Sequence, residues 1–360
     1  MSIIDRYVAR SFTAGYLILL AVSIGVSILA DVLVNIDEFL AREDVPTSQV
    51  LAYMADFYGH NTALYFSQFG GPLLAVAAAF TIGAMLRNNE MNALVSAGMP
   101  LQRLAAPVLI CTALFLAVWV ANKELLIPQI AHKIARDRGD VTGARTTGVS
   151  LVRDGQGALL TAQRLDPRRG TLERLQIIVP DESGQASMLI DADEARYDPA
   201  RQTWKLVRGR WMTLAQPTGF DQPLRWEPCD EYPFELSPEL LVLHQGTAWS
   251  DMLSLRQMNA LVHSPGLPNR PAIIVNRHVR MTQPLIYLIL VTLALPFFLT
   301  REPCNVLAAG GRALLLCGLF MGLTFVAHGI INEQGAALRA WAPILCFGPL
   351  AVLQLANART

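Results

Sequence analysis

The sequence predicts an α-helical membrane protein with six transmembrane helices, three before and three after an inserted, periplasmic all-β domain of jelly-roll type. Three observations predict this fold. Only 16% of the 360 residues are charged and the mean hydropathy is +0.35, whereas about 25% of the residues in a soluble domain are charged. Six stretches of membrane-span length carry no charged side chain, and a long segment of ordinary charge density separates the third from the fourth.

Each of the six stretches can cross a bilayer, because a span requires about 20 mostly apolar residues. They comprise residues 11–30, 57–86, 104–122, 281–300, 313–332 and 340–358. The first stretch follows Arg6 and Arg10, as in a signal peptide, but it is too long for an apolar signal region and has no cleavage motif before Asp31. We therefore interpret it as a retained helix.

The arginines of the short loops predict the orientation, because cytoplasmic loops carry an excess of Arg and Lys. Arginines precede the first span and flank the loops between spans two and three and between spans four and five. The loop between spans one and two instead holds six acidic residues against Arg42 alone. We therefore expect a multi-pass protein of a bacterial inner membrane, with both termini in the cytoplasm and the inserted domain in the periplasm.

The inserted segment shows the pattern of short strands separated by turn residues. Runs such as Leu175-Gln-Ile-Ile-Val and Trp204-Lys-Leu-Val alternate with turns such as Asp198-Pro199. Strands at regular, short spacing are typical of an antiparallel sandwich or jelly roll. The helical spacing of Met252, Leu255, Met258 and Val262 ends this pattern.

These patterns predict four segments. Residues 1–128 form a first transmembrane half with three helices, and residues 129–255 form the β domain. Residues 256–280 connect the β domain to a second transmembrane half, residues 281–360. Cys229 is the only cysteine of the β domain, so this domain is expected to fold without an internal disulfide.

The search for catalytic motifs is negative. The sequence holds no phosphate-binding G-x-x-x-x-G-K-[ST] loop, no G-x-S-x-G nucleophile motif, no H-E-x-x-H pair and no C-x-x-C. We therefore expect no catalytic residue, no cofactor and no metal ion. The 29 basic and 29 acidic residues balance, which argues against a nucleic-acid partner.

The most informative segment is the cytoplasmic loop of residues 87–103, which predicts a two-turn amphipathic helix over about 88–98. Asn88 or Asn89 can cap its start, Glu90 suits its first turn, and Gly98 followed by Pro100 can end it. Its apolar face consists of Met91, Leu94 and Val95. A helix this short is not stable alone, so we expect it to dock on the lipid surface or in a groove of a cytoplasmic partner. The lack of Lys and Arg on its polar face favours the groove, and the alternative is a helix that only caps the bundle.

Several short motifs occur together with this loop. The loop has the form R-x-x-E-h-x-x-h-x-x-x-G-h, where h is apolar. The other motifs are Asp5-Arg-Tyr, Ile127-Pro-Gln, Ala192-Asp-Glu-Ala-Arg-Tyr with Trp204-Lys-Leu and Gly209, Leu236-Ser-Pro, and Leu295-Pro-Phe. In this order, over nearly the whole chain, they resemble the lipopolysaccharide-export permease family LptF/LptG (YjgP/YjgQ).

The resemblance implies a permease subunit of an ABC exporter, not an enzyme. Such a subunit would extract lipopolysaccharide or a related lipid from the inner membrane and pass it to periplasmic β-jelly-roll lipid-transfer proteins. A second permease of the family would pair with it around a cavity that lipid enters between helices one and five, and a separate cytoplasmic ABC ATPase dimer would supply the energy. The element that couples the two would comprise Arg87, Glu90, Met91, Leu94, Val95 and Gly98.

The outer end of the first helix departs from the family pattern, which places basic residues there to meet the lipid's phosphates. In this chain the stretch 35–44 is acidic apart from Arg42. The basic candidates for lipid binding are Arg42, Lys133, Arg136 and Arg138. The cargo is therefore a less phosphorylated or otherwise different lipid, or the paired permease provides the basic contacts.

Two other functions stay open. A lipid-modifying integral membrane enzyme would need a polar cluster at one membrane face, for which Asp31, Asp37, Glu38 and His60 are the candidates. A membrane-anchored periplasmic interaction domain would need only one or two spans. Dependence on a co-purifying ATPase distinguishes the transporter from both.

Overall fold

The computed structural model describes the chain in fifteen segments. They are residues 3–40, 46–134, 147–153, 157–166, 169–181, 185–199, 201, 203–214, 225–234, 238, 241, 249–262, 270–300, 306–330 and 334–357. The chain divides into two compact units. The helical unit comprises Met1–Asn35, Tyr58–Pro128 and Pro271–Thr360, and the other unit, which contains the sheet, comprises Ile36–Phe57 and Gln129–Arg270. The division into two units does not test the boundaries of the four predicted segments, which remain predictions.

Ten α-helices occur in the described segments. They are α1 Ile3–Leu40, α2 Thr47–Arg87, α3 Glu90–Ser96, α4 Gln102–Ala121, α5 Ile127–Ile134, α6 Trp249–Met252, α7 Leu255–Val262, α8 Arg270–Ala294, α9 Val306–Gly329 and α10 Ala336–Asn357. A π-helical turn, Asn122–Leu126, joins α4 to α5. The predicted helical spacing after the strands corresponds to α6 and α7.

Six of the described helical segments are long and apolar enough to cross a membrane. They are Ile3–Asp37, Thr47–Arg87, Gln102–Ala131, Arg270–Phe297, Val306–Gly329 and Ala336–Asn357. Three precede the β insert and three follow it, which confirms the predicted arrangement. The chain is a multi-pass membrane protein.

The fourth span begins earlier than the charge-free stretch at residue 281 indicates. Helix α8 begins at Arg270 and contains Arg277 and Arg280 in its first three turns. The Arg280 side chain is only 6% exposed and pairs with Glu124. The pairing allows this charged side chain to be buried inside the helical unit.

Small residues allow the helices of the helical unit to pack closely, as is common in membrane proteins. Ala77 and Ala78 in the middle of α2 are fully buried. At Gly71 of the same helix, an added Cβ would overlap the ring of Tyr287 in α8. The edge of the Trp119 indole meets the same tyrosine ring, with centroids 5.5 Å apart. These residues form the centre of the contact between spans two, three and four.

The insert is an antiparallel sheet with eight strands in the described residues. They are β1 Thr147–Arg153, β2 Leu159–Asp166, β3 Thr171–Pro180, β4 Ala186–Asp198, β5 Thr203–Val207, β6 Arg210–Thr213, β7 Glu227–Pro228 and β8 Glu231–Tyr232. The order is β1-β2-β3-β4-β5-β8, and β6 pairs with β4 and β7. This antiparallel β insert between two helical halves was predicted and is confirmed.

Alternation along the strands buries one face of the sheet. In β3, Leu175 and Ile177 are buried and Gln176 between them is exposed, whereas Glu173 and the left-handed Arg174 (φ 49°) interrupt the alternation between Leu172 and Leu175. Trp204 of β5, fully buried, lies in the same core. The short strands β6 to β8 have no clear alternation, and the sequence pattern did not predict them.

Candidate coupling site

Helix α3 lies between the second and third spans, where the sequence predicts a short helix. Span two ends at Arg87, residues 88 and 89 form a turn, and α3 runs from Glu90 to Ser96. Its end is a Schellman motif, in which the N–H of Gly98 donates to the carbonyl of Val95 at 2.9 Å and that of Met99 to Leu94 at 3.1 Å. Gly98 has φ +77°, a left-handed conformation that glycine adopts without strain.

The start of α3 differs from the prediction. Asn89 occupies the N-cap position, but it adopts a left-handed conformation with φ 58°, and its side chain makes no capping hydrogen bond. A capping asparagine normally has an extended backbone, so the predicted cap by Asn89 is wrong. Instead, Nδ2 of Asn88 lies 3.4 Å from Oε1 of Glu90. Asparagine tolerates the left-handed region better than most residues, and this turn uses that property.

The apolar face of α3 is turned toward the core of its own chain. Met91 is 1% exposed, and Leu94 and Val95 pack half-buried against the same core. Arg87, Ala93 and Gly98 are exposed. The face that is open to a partner is therefore formed by the small and polar residues of the helix and its flanking turns.

The first turns of α1 contact both ends of this segment. The Tyr7 hydroxyl donates to the Glu90 carboxylate, at 3.1 Å from Oε2 and 3.3 Å from Oε1. Nε of Arg103, at the start of α4, lies 3.8 Å from Oδ1 of Asp5. Two residues of the Asp5-Arg-Tyr motif thus contact Glu90 at the start of α3 and Arg103 at the start of α4.

A groove of about 340 Å³ lies between α1 and α3. It is lined by Ile3, Ile4, Tyr7, Met85, Glu90, Ala93 and Leu94. Ile3 is 91% exposed, so its side chain stands at the open rim. The groove is apolar except at Glu90 and the Tyr7 hydroxyl, which makes it suited to an apolar side chain that carries or neighbours a hydrogen-bond donor.

The structure does not describe the side chains of the four candidates for lipid binding. Arg42, Arg136 and Arg138 lie outside the described residues. Lys133 lies in α5, but its side chain is also outside the described part. The structure therefore neither brings these four side chains together nor separates them.

For the alternative enzyme, the structure describes the surroundings of Asp31 in most detail. Its Oδ2 accepts a hydrogen bond of 2.8 Å from the Tyr58 hydroxyl, and its Oδ1 one of 3.0 Å from Nδ2 of Asn35. The bond from Tyr58 joins α1 to α2, and the bond from Asn35 lies within α1, at the irregular backbone of Asn35 with φ −118° and ψ 18°. This arrangement is that of a structural carboxylate.

The structure also contains a buried polar cluster that the motif search missed. It lies at the exit of span three and the start of span four. Nζ of Lys123 donates to Oε1 of Gln283 at 3.1 Å and lies 4.7 Å from the centre of the Trp119 ring. Glu124 Oε1 lies 3.4 Å from Arg280 Nη1.

The helix geometry explains why these groups meet. The π-helical turn Asn122–Leu126 adds a residue to the turn, and such turns are common at functional positions. Asn122 in this turn is buried and donates to the carbonyl of Ala63 in span two, at 3.0 Å. The charged pair Lys123-Glu124 at the end of an apolar span was the available signal, since ionisable residues at such places usually have partners.

Comparison with known proteins agrees with the fold. The family model described as "Lipopolysaccharide export system permease LptF/LptG" matches residues 6–357, nearly the whole chain. A comparison with curated proteins gave no match. The family match spans all six helices and the β insert, and members of this family are transporter permease subunits. The chain therefore belongs to the LptF/LptG family of lipopolysaccharide export permeases.

Proposed function

We propose that this chain is the permease subunit of an ABC exporter that extracts lipopolysaccharide, or a closely related lipid, from a bacterial inner membrane. A separate cytoplasmic ATPase dimer binds at α3 and drives the extraction. A second permease of the family completes the transport cavity. The lipid then passes to periplasmic β-jelly-roll proteins by way of the β insert.

The observation that carries this proposal is the construction of α3. A seven-residue helix has little stability of its own, yet this one is fixed at the core by Met91 and terminated by a Schellman motif. A short helix held in this way moves as a rigid body when a partner pushes on it. In this proposal Met91, Leu94 and Val95 seat the helix on the bundle, while Arg87, Glu90 and Gly98 lie at the surface that the ATPase contacts.

The proposed orientation follows from the charge distribution. Arg6, Arg10, Arg87 and Arg103 lie at the end of the bundle where α3 lies, and arginine-rich loops stay in the cytoplasm. In this orientation α3 would lie on the cytoplasmic side of the membrane, where the ATPase is. Both termini would be cytoplasmic and the β insert periplasmic.

The lipid's phosphates require cationic partners, because an unpaired buried phosphate is costly. We propose Arg42, Lys133, Arg136 and Arg138 as these partners, in this chain or in combination with the paired permease. Arginine suits this role because its guanidinium can bind a phosphate with two parallel hydrogen bonds.

Affinity purification of the assembled transporter tests the ATPase contact. Glu90→Lys reverses the charge at the start of α3 and removes the acceptor of the Tyr7 hydroxyl, so we expect the tagged permease to lose its ATPase. Glu173→Lys, at an exposed site of the β insert, is the matched control and should retain it. Normal assembly and normal export by the Glu90 variant would contradict the proposal that α3 is the coupling element.

A further inference from the structure

We propose that Tyr7 and Asp5 are positioning residues through which α3 moves α1. This inference rests on the proposed function, because it assumes that the ATPase acts on α3. Neither residue contacts the lipid or the nucleotide in this proposal. Their role is to make the first helix follow the short helix.

Helix α1 packs against its own chain along one short stripe. Val8, Phe12 and Tyr16, spaced four residues apart, are each 0% exposed. The Tyr16 ring lies 4.4 Å from the ring of Phe115 in α4, and Phe12 also contacts Phe115. From residue 17 to residue 37 no side chain of the helix is buried.

This distribution gives α1 the form of a lever. The stretch of residues 17–37, which we call the outer arm, has no buried side chain and is about 30 Å long at 1.5 Å per residue. The packed stripe lies on its N-terminal side. Two of the hydrogen bonds in the described residues join the helix to α2: the Tyr16 hydroxyl donates to the Gly70 carbonyl at 2.9 Å, and Tyr58 donates to Asp31. Leu19 and Leu20 also pack half-buried against the core. The outer arm therefore contacts its own chain only through side chains that stay partly exposed.

The N-terminal end of α1 is joined to α3 and to the start of α4. Tyr7 contacts Glu90 at the first residue of α3, and Asp5 contacts Arg103 in the first turn of α4, which follows α3 after a short turn. Along α1, Asp5 and Tyr7 precede the packed stripe, whereas the outer arm follows it. A shift of α3 would thus displace the N-terminal end of α1 and tilt its outer arm about the Phe12–Tyr16 stripe.

The test uses the complete transporter, with its ATPase and paired permease, in proteoliposomes that contain lipopolysaccharide. The measured quantity is the amount of lipid extracted per ATP hydrolysed. The double variant Tyr7→Phe with Asp5→Asn retains both side-chain shapes, so assembly and ATP hydrolysis should stay at the wild-type level. The lipid extracted per ATP should fall roughly three- to tenfold, the range that corresponds to losing one or two weak polar contacts. Arg10→Gln, an exposed substitution on the same helix, should leave this ratio unchanged.

A charge exchange tests whether Asp5 and Arg103 act as a pair. Asp5→Arg and Arg103→Asp should each lower the ratio of lipid to ATP, and their combination should restore it. A wild-type ratio in the Tyr7 and Asp5 double variant, or no recovery in the exchanged pair, would overturn the inference. The failure of the proposed function is a different result, because it would show as normal ATPase assembly and export in Glu90→Lys.

Discussion

The Glu124 carboxylate, in the π-helical turn near the end of the third span, lies 3.4 Å from the guanidinium of Arg280 in the fourth span. These two spans are the ones that lead into the β insert and return from it. Lys123 and Gln283 form a second contact beside this pair, at 3.1 Å. The two spans are thus joined by charged and polar side chains where they leave the apolar core.

The first prediction concerns this ion pair. Glu124→Gln removes the carboxylate charge that lies 3.4 Å from Nη1 of Arg280, a side chain that is 6% exposed. Breaking a buried pair by removing one partner costs about 3–5 kcal/mol. We expect a clear fall in the thermal unfolding midpoint of the purified protein in detergent.

The matched control is Glu173→Gln in the β insert. Glu173 pairs with Arg164 at 3.6 Å, but both side chains are more than half exposed. Such surface pairs contribute about 0–1 kcal/mol, so the midpoint should hardly change. Equal shifts in the two variants would contradict the assignment of Glu124 and Arg280 as a structural pair.

The second prediction concerns the close contact of spans two and four. In Gly71→Ala the new methyl group overlaps the Tyr287 ring, and overpacking of this kind costs about 1–3 kcal/mol. Gly59→Ala, in the same helix, adds a methyl group with nothing within 4 Å. We expect only the Gly71 variant to lower the unfolding midpoint, and a stable Gly71→Ala protein would show that the helices can separate without cost.

The sequence predicts the six spans well because a charge-free stretch of about 20 residues has few alternatives to a transmembrane helix. It does not predict that α8 extends back to Arg270, because the partner of Arg280 lies 156 residues away, at Glu124. The end of α3 at Gly98 was also predictable, since a left-handed C-terminal residue favours glycine. The left-handed Asn89 was not, because its conformation depends on how α2 and α3 pack.

The short helix α3 was predictable from the sequence, but the orientation of its apolar face was not. Sequence spacing places Met91, Leu94 and Val95 on one face of a helix, but it does not tell whether this face meets a partner or the chain itself. The structure turns it inward. The contact of Tyr7 with Glu90 joins residues 83 positions apart, and local sequence patterns carry no information on such a pair.

The third prediction concerns the orientation. A membrane-impermeant thiol reagent added to intact spheroplasts should label Cys229 in the β insert, whereas Cys304, which lies outside the described residues, should react only after the membrane is opened. Single-cysteine variants separate the two signals. Labelling of Cys304 alone in intact spheroplasts would reverse the orientation.

Labelling of Cys229 should also depend on pH. Partial burial raises the pKa of the Cys229 thiol, and the thiolate is the reactive form. Its labelling rate should therefore continue to rise above pH of about 8.5, the ordinary thiol pKa. An exposed cysteine, Gln176→Cys in a chain with Cys229→Ser, should reach its full rate at a lower pH, and identical pH profiles would contradict the effect of burial.

The fourth prediction concerns lipid recognition by Arg136 and Arg138. Replacing both by Glu should weaken the binding of a phosphorylated lipid more than that of a neutral lipid with equal acyl chains. If these contacts are open to solvent, higher salt should reduce the difference, because salt screens exposed charges. Equal effects on both lipids would remove these arginines from the lipid site.

The central claim is that this permease extracts lipopolysaccharide by means of an ATPase that acts through α3. The most direct measurement follows the transfer of lipopolysaccharide from proteoliposomes to a soluble periplasmic jelly-roll acceptor, with and without ATP. We expect transfer by the complete transporter only when ATP is hydrolysed, and no transfer by the transporter that carries Glu90→Lys. Transfer that continues without ATP, or at the wild-type rate in the Glu90→Lys transporter, would contradict the claim.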